Sequence, residues 1–234
     1  MGLRIGFDLD GVLADMEGAL LAEATTLFGG ATGDDQPPLD SEDGSIADKP
    51  SVTGLGLSVR RQSRLWRHVQ TIENFWEALN ELEPGVIARL ASIAEQRRWQ
   101  VMFLTKRFDT AGLTAQRQSQ RWLESKGFRY PSVYVVQGSR GRIAAALDLD
   151  IVVDDRSENC LDVVVDSTAR AILVWRDDEK NLPTAARRLG IGVVKTVNEC
   201  LDILTRLDAP GSSPSGLMAR VRKALGMNEP VEPA

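Results

Sequence analysis

The chain has 234 residues, 43% of them hydrophobic and 26% charged, which supports a true core and excludes a disulfide-stapled miniature. A formal net charge of −5 argues against a protein devoted to nucleic-acid phosphates or an anionic membrane, so neither is expected as a partner. No apolar run approaches the roughly 18 residues of a membrane span.

In chain order, the first run, residues 3–9 (LRIGFDL), reads as a strand. Further strands are expected at 100–104 (QVMFL), 132–136 (SVYVV), 151–153 (IVV), 171–175 (AILVW) and 192–197 (GVVKTV). Their nearly continuous apolar character is that of strands covered on both faces. Helical spacing marks residues 86–98, which follow the turn Glu83-Pro84-Gly85, and residues 114–126, which Gly127 closes. Helices are also expected at 142–147, 183–189 and 198–207, the last capped by Asn198. This β-α alternation predicts a Rossmann-like, doubly wound parallel sheet with right-handed crossovers, built from residues 1–13 and 84–207.

The interval between the first two strands is longer than a crossover needs, by on the order of 60 residues. Residues 14–83 are expected to form a small helical cap. Within it, residues 16–28 read as a helix, and 29–57, rich in Gly, Asp, Ser and Pro, as a mobile loop. Residues 58–82 read as one or two helices carrying Trp66, Phe75 and Trp76. Residues 208–234 are expected to be a flexible linker and tail, with a short amphipathic helix at 217–225.

The two cysteines, Cys160 and Cys200, are too few for a disulfide framework and read as buried apolar side chains. With an acidic rather than apolar start to the chain, a reducing cytoplasm is the expected location. His68 is the single histidine, which disfavours zinc sites built on several histidines. Chemistry is therefore expected from carboxylates.

Those carboxylates stand at strand ends, where open α/β sheets bind ligands. Asp8-Leu9-Asp10-Gly11 follows the first strand, Thr105-Lys106-Arg107 ends the second, and Asp154-Asp155 ends the fourth. Arg140 begins a helix, where a guanidinium adds fixed charge and bidentate geometry to a site that already attracts anions. Two like charges 4 Å apart repel by about 4 kcal/mol at an effective dielectric of 20, so a cluster of this kind calls for a cation. Oxygen donors without histidine point to Mg²⁺.

DLDGVLAD, FLTKR, SRG and IVVDD, in that order, resemble the four motifs of haloacid dehalogenase-like phosphatases over roughly positions 3–200. The opening motif, the NFW segment, EPG and DDR are most similar to the 5′(3′)-deoxyribonucleotidase-like branch. The resemblance implies that Asp8 attacks phosphorus and that Asp10 serves as general acid and base. It implies Mg²⁺ held by Asp8, the Asp10 carbonyl and Asp155, with Asp154 acting through water or a supporting bond. Thr105 and Arg140 would hold the phosphoryl group. Arginine replaces the commoner lysine at position 140, and Lys106 could share its role. Ser139, Asn159 and Arg156 read as caps and surface groups.

Phe75 and Trp76 could stack a nucleobase, with packing as the competing reading. The resulting expectation is a Mg²⁺-dependent phosphomonoesterase acting on a small phosphorylated metabolite, with a nucleoside monophosphate among the candidates. The alternatives are a phospho-aspartate switch, in which the acidic pair would come first in the chain, and a binding protein that has lost catalysis. The presence of Asp10 disfavours a dehalogenase, whose halide leaves without a proton.

Overall fold

The computed structural model describes residues 2–29 and 55–208, so most of the loop expected at 29–57 and nearly all of the tail, including 217–225, lie outside it. Six parallel strands form one sheet: β1 (Arg4–Asp8), β2 (Gln100–Thr105), β3 (Ser132–Val135), β4 (Ile151–Asp154), β5 (Arg170–Val174) and β6 (Gly192–Val194). Their order is β3-β2-β1-β4-β5-β6. Strand order thus reverses between β1 and β4, which opens a crevice at their carboxyl ends. Phe7 is in register with both Phe103 and Val153, bringing the residues that follow it level with the ends of β2 and β4.

The alternation of side chains explains the double burial. Ile5, Phe7, Ile151, Val153, Ile172 and Val174 join a hydrophobic cluster on one face of the sheet. Val152, Ala171 and Leu173 join a second cluster on the other.

Eight α-helices lie among the described residues: α1 (Met16–Phe28), α2 (Val59–Thr71), α3 (Val86–Arg97), α4 (Ala115–Ser125), α5 (Arg140–Ala146), α6 (Ser157–Asp166), α7 (Thr184–Arg188) and α8 (Val197–Leu207). Their ends are chemically marked. Asp15, Ser58, Thr114 and Ser139 each accept a backbone N–H of the first turn, and Gly29 ends α1 in the left-handed region. Two sequence expectations need correction. Thr196 rather than Asn198 caps α8, because its hydroxyl reaches Glu199 N while Asn198 already lies inside the helix. Helix α6 follows so directly on the acidic pair that its start carries no separate turn signal, and the reading above does not include it.

The segment between β1 and α3 contributes to the sheet's own core. Leu20 and Ala24 of α1, Leu65, Trp66 and Val69 of α2, and Phe75 and Trp76 of a single 3-10 turn (Phe75–Glu77) are buried in the same cluster as Ile5 and Phe7. Each large apolar side chain so buried contributes roughly 1.5–3 kcal/mol relative to exposure. The ends of this segment run side by side, with Asp15 N donating to Asn80 O and Leu82 N to Leu13 O, both at 2.9 Å. No helix among the described residues is long and apolar enough to cross a membrane.

Candidate active site

Asp8 is the last residue of β1 and is 6% exposed. Its Oδ1 accepts a short hydrogen bond from Nη2 of Arg140, which sits at the start of α5 and is itself 2% exposed. Arg140 Nε lies 3.6 Å from Asp154 Oδ2, close enough for ionic attraction but too far for a hydrogen bond. Nε and Nη1 of Arg140 have no hydrogen-bond partner among the described residues. A buried donor left so costs about 1–3 kcal/mol, and such groups in folded proteins call for an explanation. Oxygens of a bound anion would supply the missing acceptors.

Asp154 ends β4 and is fully buried. One oxygen accepts from Arg156 N at 2.9 Å, and the Asn159 amide reaches both oxygens at 3.0 Å. Asn159 is therefore the support of an acidic site residue and not the surface group expected. The reach from the strand end into the first turn of α6 explains the missed role, since that helix was not foreseen. Asp155, the next residue, leans over Gly11, which has φ +84°. A Cβ on Gly11 would sit 2.0 Å from Asp155 Oδ2, so only glycine admits this approach.

Electrostatics follow from this crowding. Burial first, and the Asp154 charge second, hold the Asp8 carboxyl well above the usual range, with Arg140 pulling in the other direction. Burial likewise raises Asp154, against Arg140 and its hydrogen bonds. Asp155 is pushed up to about 7, by burial and then by Asp154. Asp8 and Asp154 share one guanidinium, and Asp155 adds its charge beside them.

Asp10 lies one residue beyond Leu9 on the β2 side. Thr105 Oγ1 donates to its Oδ2 at 2.9 Å. Arg107 Nε spans both oxygens at 3.0 and 3.1 Å, and Nη2 reaches Oδ1 at 2.8 Å. Arg107 was not foreseen as a site residue; the signal available was a second cation two positions after Thr105, at a strand end. Lys106 between them is half-buried, with no ion pair among the described residues.

The stacking role considered for Phe75 and Trp76 finds no open ring face. They are 4% and 0% exposed, pack edge to face on each other, and Trp76 donates Nε1 to Phe108 O at 2.9 Å. Trp66 packs on Phe108 in the same way. Open space lies instead beside Asp155, in a cleft of about 250 Å³ lined by Gly11, Met16, Leu82, Trp175 and Arg176 among others.

Among the described residues no three acidic, cysteine or histidine side chains converge as a ready-made metal cage. One buried carboxylate, Asp8, and one half-buried, Asp155, nevertheless suit a hard cation that keeps several of its waters. Burial and neighbouring acids push both carboxyls up, and a cation would relieve that repulsion. The donor set fits Mg²⁺.

No protein-family model matches this chain, and no curated protein matches it. Solved structures do. A protein from Thermotoga maritima named as a candidate beta-phosphoglucomutase is 19% identical with a TM-score of 0.50, over 87% of this chain and 99% of that one. A HAD family hydrolase from Deinococcus radiodurans R1, with bound phosphate and sodium, is 15% identical with a TM-score of 0.50, over 89% and 98%. A hydrolase from Pseudomonas syringae is 18% identical with a TM-score of 0.50, over 90% and 100%. These neighbours do not support the 5′(3′)-deoxyribonucleotidase-like branch. The sheet order, the strand-end acids and these likenesses together show that the chain has the fold of the haloacid dehalogenase-like hydrolases.

Proposed function

We propose that the protein is a phosphomonoesterase that works through a phospho-aspartate on Asp8, with Mg²⁺ as cofactor and a small phosphorylated metabolite as substrate. The observation that carries this reading is the Arg140 guanidinium, buried, bonded to Asp8 and left with two unpartnered nitrogens. That arrangement sets a nucleophile beside donors for the tetrahedral oxyanion it would attack.

An Asp8 carboxylate oxygen forms the new bond to phosphorus as the bond to the leaving oxygen breaks. That oxygen keeps the electron pair and takes a proton from Asp10. A water then attacks phosphorus and gives its proton to Asp10, while the bond from Asp8 to phosphorus breaks. The sum is ester plus water giving alcohol plus phosphate. Arg140 binds the phosphoryl oxygens and orients Asp8. Thr105 joins Asp10 to the end of β2, and Lys106, half-buried beside it, would add charge there. When bound by Asp8, Asp155 and the Asp10 carbonyl, Mg²⁺ would offset repulsion between the carboxylate and the phosphoryl anion. Asp154, held by Asn159 and Arg156 N, supports that set from behind.

The cleft beside Asp155 suits a small leaving group, and the closed ring faces of Phe75 and Trp76 favour sugar phosphates over nucleotides. The beta-phosphoglucomutase name of one structural neighbour supports the same order. Two buried free thiols suit a reducing setting such as the cytoplasm.

The test is phosphate release from a generic aryl phosphate and from a panel of sugar phosphates and deoxynucleotides, with Mg²⁺ and with chelator. Asp8→Asn should abolish Mg²⁺-dependent turnover while leaving the folded spectrum intact. Equal turnover by that variant would refute the reading. A long-lived phosphoryl adduct with slow release would instead identify a switch.

A further inference from the structure

Arg107 enters the site from the end of β2, yet none of its nitrogens is free. Nε and Nη2 fork onto the Asp10 carboxylate, and Nη1 donates to Ser119 Oγ at 2.9 Å. Ser119 in turn donates to Ala115 O in α4 at 2.7 Å, fixing the anchor to a helix. The guanidinium lies over Trp76 at 4.9 Å and near Trp122 at 5.5 Å, and its side chain is 0% exposed. Every nitrogen of this arginine already bonds the protein, and its side chain is closed to solvent. One placed only to fill space would not need a fork on a carboxylate.

Resting on the phosphomonoesterase reading, we infer that Arg107 is a positioning residue: it fixes the orientation of the Asp10 carboxylate for proton transfer to the leaving oxygen. The terminal torsion of an aspartate is broad, so an unheld carboxylate samples many orientations. A misplacement of about 1 Å in a reacting group can cost on the order of 10²-fold in rate. The clamp, its serine anchor and its aromatic walls remove that freedom.

The inference has a signature that a structural role lacks. In the first step the bond between phosphorus and the leaving oxygen breaks, and an alkoxide needs the proton from Asp10 whereas dinitrophenolate departs without one. Arg107→Lys retains charge and stem but loses the fork. In the full chain with Mg²⁺, kcat/KM would be measured on 2,4-dinitrophenyl phosphate and on glycerol phosphate, beside inhibition by inorganic phosphate. Arg107→Lys should lose at least about tenfold more on the alkyl ester than on the dinitrophenyl ester, with phosphate inhibition unchanged. Ser119→Ala, the gentler variant if the first does not fold, should show the same selectivity at smaller size. Equal losses on both esters, no loss in a folded variant, or weakened phosphate inhibition would overturn the role of Arg107. A parent that releases phosphate from neither ester would end the underlying reading, and this inference with it.

Discussion

Two arginines, Arg107 and Arg140, are buried to 1% and 2% exposure at the same sheet edge, and they are finished differently. Arg107 has every nitrogen engaged and aromatic rings against its faces. Arg140 bonds Asp8 through Nη2, and its Nε and Nη1 find no acceptor among the described residues. The first arrangement is complete as it stands, and its work is directed at the protein. The second is incomplete by two donors. Burial alone therefore says little about what a charged side chain does; the count of satisfied atoms separates structure from recognition.

The comparison breaks first on activity. Arg140→Met should lower kcat/KM by about 10²–10³-fold, as loss of a transition-state donor does, and should abolish inhibition by inorganic phosphate. Retained phosphate inhibition in that variant would mean that the unpartnered donors do not face the anion.

Stability should rank the two residues in the opposite order. Arg107→Met removes one partner of a buried pair and should cost about 3–5 kcal/mol in urea unfolding. Arg140→Met should cost less, about 1–2 kcal/mol, because it also removes two unsatisfied donors and because Asp8 and Asp154, already pushed up, take on protons once the guanidinium is gone. Equal costs would erase the distinction drawn here.

A smaller effect concerns the cluster of acids at the ends of β1 and β4. Asp8, Asp154 and Asp155 are all raised, Asp155 to about 7, so the metal-free fold keeps protons that the unfolded chain sheds near its ordinary value of 3.8. Their favourable contribution is complete below that ordinary value and is lost as pH rises through the folded-state values. A bound cation needs the ionised carboxylates, so Mg²⁺ should raise the melting temperature more at pH 8 than at pH 5. At a concentration of 100 times Kd the stabilisation would be about 2.7 kcal/mol. A Mg²⁺ shift of equal size at both pH values would count against Asp8 and Asp155 as its ligands.

The strands and most helices were legible because burial on both faces leaves continuous apolar runs and because Ser, Thr, Asp and Gly mark helix ends. Asp8, Asp10, Thr105, Arg140, Asp154 and Asp155 were visible because strand ends gather chemistry in this class of sheet. Arg107 was harder to read. Its partners are Asp10 after β1, Trp76 of the 3-10 turn, and Ser119 and Trp122 of α4, three distant parts of the chain, and no local pattern announces a contact across 97 positions. Asn159 was misread for a related reason, since its target is set by how α6 leaves β4. Phe75 and Trp76 admitted two readings, and their burial supports packing. Aromatic side chains near a site invite a ligand, but here their rings complete the packing under Arg107.

Trp76 also ties together stretches of chain that could have behaved independently. It belongs to the segment inserted after β1, yet it shares a cluster with Phe103 of β2 and accepts the guanidinium that grips Asp10. Melting of that segment would strip the packing from beneath Arg107, so the placement of Asp10 and cooperative unfolding depend on the same ring. Heat should therefore extinguish catalysis and tryptophan burial in a single shared transition.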